Sequence, residues 1–175
     1  MLTGPTVTLR RWRPADANDV FRVCQDPEIQ RRTMVPVPYT VQDAVGFVGE
    51  LSDSGWDSGE AASFAVLDRA SGRLAGAITV LSFHDGVAEV GYWAAPELRG
   101  GGRTTEALRL VTAWCFAERG CVRVELTADV DNTGSRRVAE RAGFVLEGIV
   151  RQRSVVKGIR IDSALYSRLP TDPAV

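Results

Sequence analysis

The sequence predicts an α/β (α+β) fold, a mixed central sheet of about seven strands with helices on both faces. Three observations predict it. Alternating apolar residues mark short strands, helical periodicity marks longer segments, and the two interleave in the order β-α-α-β-β-β-α-β-α-β-β. Turn residues join the middle strands into a meander. Only one β-α-β crossover is visible, across residues 92–126. That order is neither a doubly wound nucleotide fold nor a barrel. A chain of 175 residues suffices for one domain, taken as residues 1–175.

The elements follow in turn. Residues 7–10, VTLR, alternate as a strand. Pro14 opens a helix to about Gln25, with Val20 and Phe21 inward and Pro27 beyond its end. The segment MVPVPYT is too proline-rich for regular structure. Thr40 then caps a second helix over residues 41–51. Residues 63–67 and 74–83 flank the turn Arg69-Ala70-Ser71-Gly72 and read as a hairpin. Residues 88–94 form the next strand, after His84-Asp85-Gly86. An apolar helix covers residues 103–119, with Leu108, Val111 and Cys115 on one stripe and Gly120 closing it. Residues 122–128 are a strand, and residues 133–142 a helix ended by Gly143. Strands at 144–150 and 159–169 surround a Lys157-Gly158 turn, and residues 170–173 read as a frayed tail.

Composition excludes several classes of function. The net charge of −1 lacks the basic excess of a nucleic-acid binder. The opening MLTGPTVTLRRWRP has no apolar core, and no apolar run approaches the ~18 residues of a membrane span. Cys24, Cys115 and Cys121 are odd in number and not closely paired, which fits free thiols in a reducing cytoplasm. They lack metal-ligand spacing, and His84 is the single histidine, beside a turn. Neither a metal site nor a Ser-His or Cys-His mechanism is expected.

One stretch asks for a ligand: YWAAPELRGGGRTTEAL, Tyr92 through Leu108. A glycine-rich turn between a strand and a helix start is a ready anion site, because the first helical N–H groups have no internal partner. Gly100, Gly101 and Gly102 let an anion approach the backbone, and Arg99 and Arg103 add charge on either side. A pyrophosphate is the best chemical fit. The G-x-x-x-x-G-K-[ST] loop would need lysine where Arg103 stands. The G-x-G-x-x-G loop fits Gly100 and Gly102 but meets Thr105 at its third glycine.

Residues 99–104, RGGGRT, follow [QR]-x-x-G-x-[GA], the pyrophosphate loop of the GNAT superfamily of acyl-CoA N-acyltransferases, in every position but Thr104. The resemblance extends further. AEVGYWAAPELRGGGRTTEAL resembles the strand, loop and helix of the branch containing ribosomal-protein N-terminal acetyltransferases. DNTGSRRVAERAGFVLEG resembles that branch's N-x-x-S-x-x-x-x-x-x-x-G-F element at Asn132, Ser135, Gly143 and Phe144. LRRWRPADANDVF and DPEIQRRTMVPVPYTVQDAVGFV are similar to its opening strand and first two helices, so nearly the whole chain is covered.

The resemblance implies an enzyme that moves an acetyl group from acetyl-CoA to a primary amine in a ternary complex. The acceptor is either a protein N-terminus or a small-molecule amine. It implies a cleft where the fourth and fifth strands, here residues 88–94 and 122–128, splay apart. Trp93, Ala94 and Ala95 then run along the pantetheine, Arg99 through Thr105 take the pyrophosphate, and Asn132 and Arg137 add cofactor contacts. Tyr92 and Trp93 read equally as core aromatics, Asn132 as a helix cap, and Arg137 with its neighbour Arg136 as a solvated pair. Glu89 matches a strand glutamate used as general base, alternatively an exposed carboxylate or an ion pair. Ser135 matches a serine that donates to the leaving sulfur, and reads equally as one that only orients CoA while water protonates the thiolate. The tyrosine that many relatives carry seven residues after the motif asparagine is Ala139 here, and a downstream glutamate of some ribosomal-protein enzymes is Ser154. Tyr39 and Trp56 are candidates to face the acceptor, each also readable as loop packing. Monomer and homodimer are both compatible. A non-catalytic CoA-binding or interaction domain of the same fold is the alternative function.

Overall fold

The computed structural model describes residues 1–173. The strands are β1 (Leu2–Thr3), β2 (Val7–Arg10), β3 (Ala62–Asp68), β4 (Leu74–His84), β5 (Val87–Ala94), β6 (Arg123–Asp129), β7 (Val145–Val156) and β8 (Ile159–Arg168). They form one sheet in the order β1-β2-β3-β4-β5-β6-β8-β7. The short β1 is the strand beyond the seven expected. Every neighbouring pair is antiparallel except β5 and β6.

Side chains alternate across this sheet and build two cores. Phe64, Val66, Ile78, Val80, Ala88 and Val90 face Leu108, Val111 and Cys115 of α5 (Arg103–Arg119) and Ala139 of α6 (Thr133–Arg141). Ala65 and Ala77 point to the other face. There they pack with Val20 and Val23 of α1 (Ala17–Val23), Ile29 of α2 (Pro27–Arg32) and Ala44 of α3 (Val41–Gly46). Small residues on this second face let the helices sit close.

The helices before β3 differ from expectation. Pro14 starts a single 3-10 turn, α1 ends at Val23, and Pro27 opens α2 as its first residue. Asp26 caps α2 by accepting from Ile29 N at 2.9 Å. Thr40 caps α3 as expected and, with Asp43, closes a capping box, Thr40 N donating to Asp43 Oδ2 at 2.8 Å. That helix does not stop at Leu51. It kinks at Gly49 (φ −102°, ψ −107°) and resumes as α4 (Ser52–Ser58). After α5, Gly120 takes a left-handed φ of 64° and Cys121 N donates to Cys115 O at 3.1 Å. The C-terminal turn is tied rather than frayed: Leu169 N donates to Asp172 Oδ2 at 2.8 Å, and Arg168 Nη2 to Pro173 O at 2.7 Å.

Candidate active site

The cleft begins where β5 and β6 part. They pair at only three positions, Val87–Arg123, Ala88–Val124 and Glu89–Glu125. Beyond them β5 stays with β4 as far as Ala94, and β6 stays with β8 as far as Asp129. The edge of β5 that faces β6 is therefore left without a strand partner from Val90 onward. The gap opens into a cleft of about 1940 Å³ that Tyr92, Trp93 and Ala94 line from one side and Thr127, Ala128 and Ser135 from the other.

Past Ala94 the chain turns through Pro96 and reaches the glycines. Gly100 and Gly102 adopt φ of 83° and 78°, a region L-residues disfavour, and an added Cβ on either would meet nothing within 4 Å. The first helical bond of α5 runs from Glu106 N to Gly102 O at 3.0 Å. The N–H groups of Arg103, Thr104 and Thr105 thus have no acceptor in their own helix. These three residues line the cleft with Arg99, Gly100 and Gly102. Gly101 lies between them but is not part of the lining.

The flanking arginines are not free charges. Arg99 donates to Asp26 Oδ1 at 2.7 Å and to Ala94 O at 3.2 Å. Arg103 donates to Asp68 Oδ1 at 2.6 Å. The Ser71 hydroxyl and then Arg103 hold the buried Asp68 carboxyl down, at about 2. These arginines lock the loop to α2 and to the end of β3, and the positive potential of the loop comes from backbone N–H groups. Arg137 on α6 is exposed, lines the cleft, and makes no ion pair among the described residues. Its neighbour Arg136 turns inward to Tyr166 Oη, at 3.2 Å.

Across the gap, Asn132 caps α6, its Oδ1 accepting from Ser135 N at 3.1 Å. Ser135 Oγ lies 2.9 Å from Tyr92 Oη. The cap reading of Asn132 holds, and its side-chain amide nitrogen donates to no acceptor among the described residues. Tyr92 is a residue that sequence reasoning left in the core. The signal was available: alternation from Ala88 and Val90 puts Tyr92 on the face that carries α6.

Four expected site residues fall outside this lining. Glu89 lies at the vertex of the splay, in a separate depression with Ser82, His84 and Glu125. It shares the strand face of the cleft-lining Gly91 and Trp93 but sits at the last β5–β6 pair, before the gap opens, and is not part of the cleft lining. Ala95 is buried behind the cleft. Gly101 contributes only chain geometry. Trp56 belongs to an aromatic cluster under α5, its ring 4.9 Å from Phe64 and 5.7 Å from Trp114, and its indole N–H donates to Ser63 O at 3.0 Å. It lines neither the cleft nor the depression that holds Glu89. Tyr39 does line the cleft, although it is 6% exposed and packed in the second core. The open side is bridged by Arg32 and Asp129 at 3.0 Å, and by Lys157 Nζ donating to Val35 O. No cluster of metal-ligating side chains occurs among the described residues.

An acetyltransferase (GNAT) domain family matches residues 6–145, four-fifths of the chain, including the splayed strands, the glycine loop and α6. The chain belongs to the GNAT acetyltransferase family. This acetyltransferase is 43% identical to YdaF of Bacillus subtilis (strain 168) over 82 residues, 47% of this chain and 45% of that one. It is 34% identical to the ribosomal-protein-serine acetyltransferase of Escherichia coli (strain K12) over 98 residues, 53% of this chain and 54% of that one. The chain thus spans about half the length of these two relatives. Among solved structures, Mycobacterium smegmatis RimJ in complex with CoA-disulfide superposes with a TM-score of 0.84. It is 26% identical, with 94% of this chain and 82% of that one covered. No helix of the described residues is long and apolar enough to cross a membrane.

Proposed function

We propose that this acetyltransferase moves the acetyl group of acetyl-CoA onto a primary amine by direct attack, with both substrates held in the cleft. One observation carries the reading: the unpartnered edge of β5 leads directly into the left-handed glycines at the start of α5, with the Ser135 hydroxyl facing it across the gap. The residues present fit acetyl-CoA. Its pyrophosphate suits the open N–H groups of Arg103, Thr104 and Thr105, which no Cβ of Gly100 or Gly102 obstructs. Trp93 and Ala94 offer backbone groups to the pantetheine, and the Asn132 amide offers a donor. Arg137 adds charge for the phosphates.

Acetyl-CoA supplies an activated acyl group and a thiolate leaving group. The protein's own contributions are three. A backbone N–H on the free edge of β5 hydrogen-bonds the carbonyl oxygen as negative charge grows there. The Ser135 hydroxyl donates to the departing sulfur. The cleft holds the amine beside the carbonyl, reaching it from the side of Tyr39 and the Arg32–Asp129 bridge. Glu89 is not assigned as a direct base, since it lies outside the lining; of the carboxylates that do line the cleft, Asp129 is engaged by Arg32 and Asp131 stands beside it. The amine reacts in its neutral form and its proton passes to water.

A peptide N-terminus is the preferred acceptor. What supports it is the resemblance to the E. coli enzyme named for a ribosomal-protein serine. Small amines are the second class, supported by Ser154 standing where some ribosomal-protein enzymes have a glutamate. The three buried free cysteines fit action in a reducing cytoplasm. The test is release of CoA thiol from acetyl-CoA across peptides with different N-termini, polyamines and aminoglycosides. Turnover with one class names the acceptor. Saturable acetyl-CoA binding without turnover on any of them would favour the non-catalytic CoA-binding domain. Absence of acetyl-CoA binding would refute the reading altogether.

A further inference from the structure

The hydroxyl of Tyr92 sits 2.9 Å from Ser135 Oγ and 3.1 Å from Ser135 O. Both partners belong to the same residue, at the first turn of α6. Ser135 is thereby held at three atoms, because its N–H is also taken by Asn132 Oδ1 at 3.1 Å. A serine on a first helical turn ordinarily samples several rotamers. Here the Tyr92 ring comes up from β5 through the core beneath α6, and its only described hydrogen bonds end on Ser135. Residue 139, one turn further along α6, is a fully buried alanine and brings no hydroxyl to the cleft.

We infer that Tyr92 is a positioning residue for the reaction, fixing the Ser135 side chain so that its O–H points into the gap between β5 and β6. The inference rests on the proposed acetyl-CoA reading of the cleft. In the resting geometry Tyr92 Oη donates to Ser135 O, and the Ser135 hydroxyl is free to donate to Tyr92 Oη. When a sulfur occupies the gap, the Ser135 O–H turns to it and Tyr92 O–H donates to Ser135 Oγ instead. No covalent bond forms or breaks at Tyr92, and it keeps its proton throughout. Burial, the main influence, pushes its phenol up to about 12 despite the opposing hydrogen bond with Ser135, so it remains a donor across the working pH range.

Two measurements test this, the first without any acceptor. Calorimetric binding compares CoA with desulfo-CoA for the unaltered protein, Tyr92→Phe and Ser135→Ala. The unaltered protein should prefer CoA several-fold. Both variants should lose that preference while binding desulfo-CoA as before. A Tyr92→Phe protein that keeps the preference overturns the inference. If the unaltered protein binds neither ligand, the acetyl-CoA reading itself falls, a separate and recognisable failure. The second measurement is steady-state kinetics with an accepted amine. Tyr92→Phe should lower kcat about tenfold, as expected for one misdirected hydrogen bond, with KM for acetyl-CoA unchanged. In the Ser135→Ala background the same change should cost nothing further. An equal loss in both backgrounds would show that Tyr92 acts through packing alone. Ser135→Ala removes a part-buried hydroxyl and should fold; if Tyr92→Phe melts lower, its CoA against desulfo-CoA ratio is read at a temperature where it remains folded, so a loss of stability does not imitate a loss of preference.

Discussion

The three glycines make different demands, and substituting each with alanine separates them. Gly100 and Gly102 have φ of 83° and 78°, and a Cβ on either would meet no atom within 4 Å. The cost of alanine there is therefore conformational, about 1–2 kcal/mol for a left-handed L-residue. At ~2–4 °C per kcal/mol for a domain of this size, each substitution should lower Tm by about 2–8 °C. Gly101 is the opposite case. Its φ is ordinary, but a Cβ would run into the Arg103 guanidinium, the mobile end of a side chain whose Nε is tied to Asp68 at 2.6 Å. A shift of that end leaves the Asp68 contact in place, so Gly101→Ala should cost less than about 1 kcal/mol. Thermal melting and urea titration of the three variants measure these costs. Calorimetry with CoA adds the functional half: a methyl at 100 or 102 stands where the anion approaches and should weaken binding at least ~10-fold. Should Gly101→Ala be the least stable of the three, the conformational account of this loop is wrong.

Asp68 titrates below its ordinary range, so the stability it contributes is complete above an unfolded-state pKa near 4 and is lost as pH falls toward about 2. Asp68→Asn should therefore melt lower at pH 7 and converge with the unaltered protein near pH 2; a constant difference across that window would refute the pairing. Trp56→Ala should cost about 2 kcal/mol, roughly half the loss for a fully buried aromatic, with KM for both substrates unchanged in steady-state assays. Glu89→Gln should leave kcat within about twofold at pH 7, because the side chain lies outside the cleft lining, whereas loss of a true general base removes ~100-fold or more.

What was legible in the sequence was local. Strand alternation, the Thr40 cap, the Gly120 stop and the glycine loop all depend on residues a few positions apart, and all stand in the structure. Pro27 shows where local signals become ambiguous. A proline ends a helix and begins one by the same property, its missing N–H and fixed φ, and here Asp26 makes it a beginning. The arginine partners were illegible for another reason. Arg99 meets Asp26 and Arg103 meets Asp68 across long stretches of chain, and no residue pattern near the loop announces either pairing. Glu89 was half legible. The inward positions of Ala88 and Val90 fix its face, but where along β5 the gap opens depends on β6, a strand that the intervening α5 delivers.

That opening point explains why so much of the site is backbone. β5 is held by β4 along its length, and β6 is held by β8, so each strand has one satisfied edge and, past the third pair, one bare edge. Half-buried N–H and C=O groups on a bare edge are costly unless something hydrogen-bonds them. Water can serve, but an extended ligand with its own amides serves better while displacing several waters at once. The same strand delivers the chain to the left-handed glycines, which leave three helical N–H groups equally bare. Unpaired donors thus lie at two places joined by the loop, the bare edge of β5 between Val90 and Ala94 and the first turn of α5 from Arg103 to Thr105, suited to a ligand with amides at one end and an anion at the other. Side chains in the site need only supply what a backbone cannot: a hydroxyl for the sulfur, from Ser135, and a means of aiming it, from Tyr92.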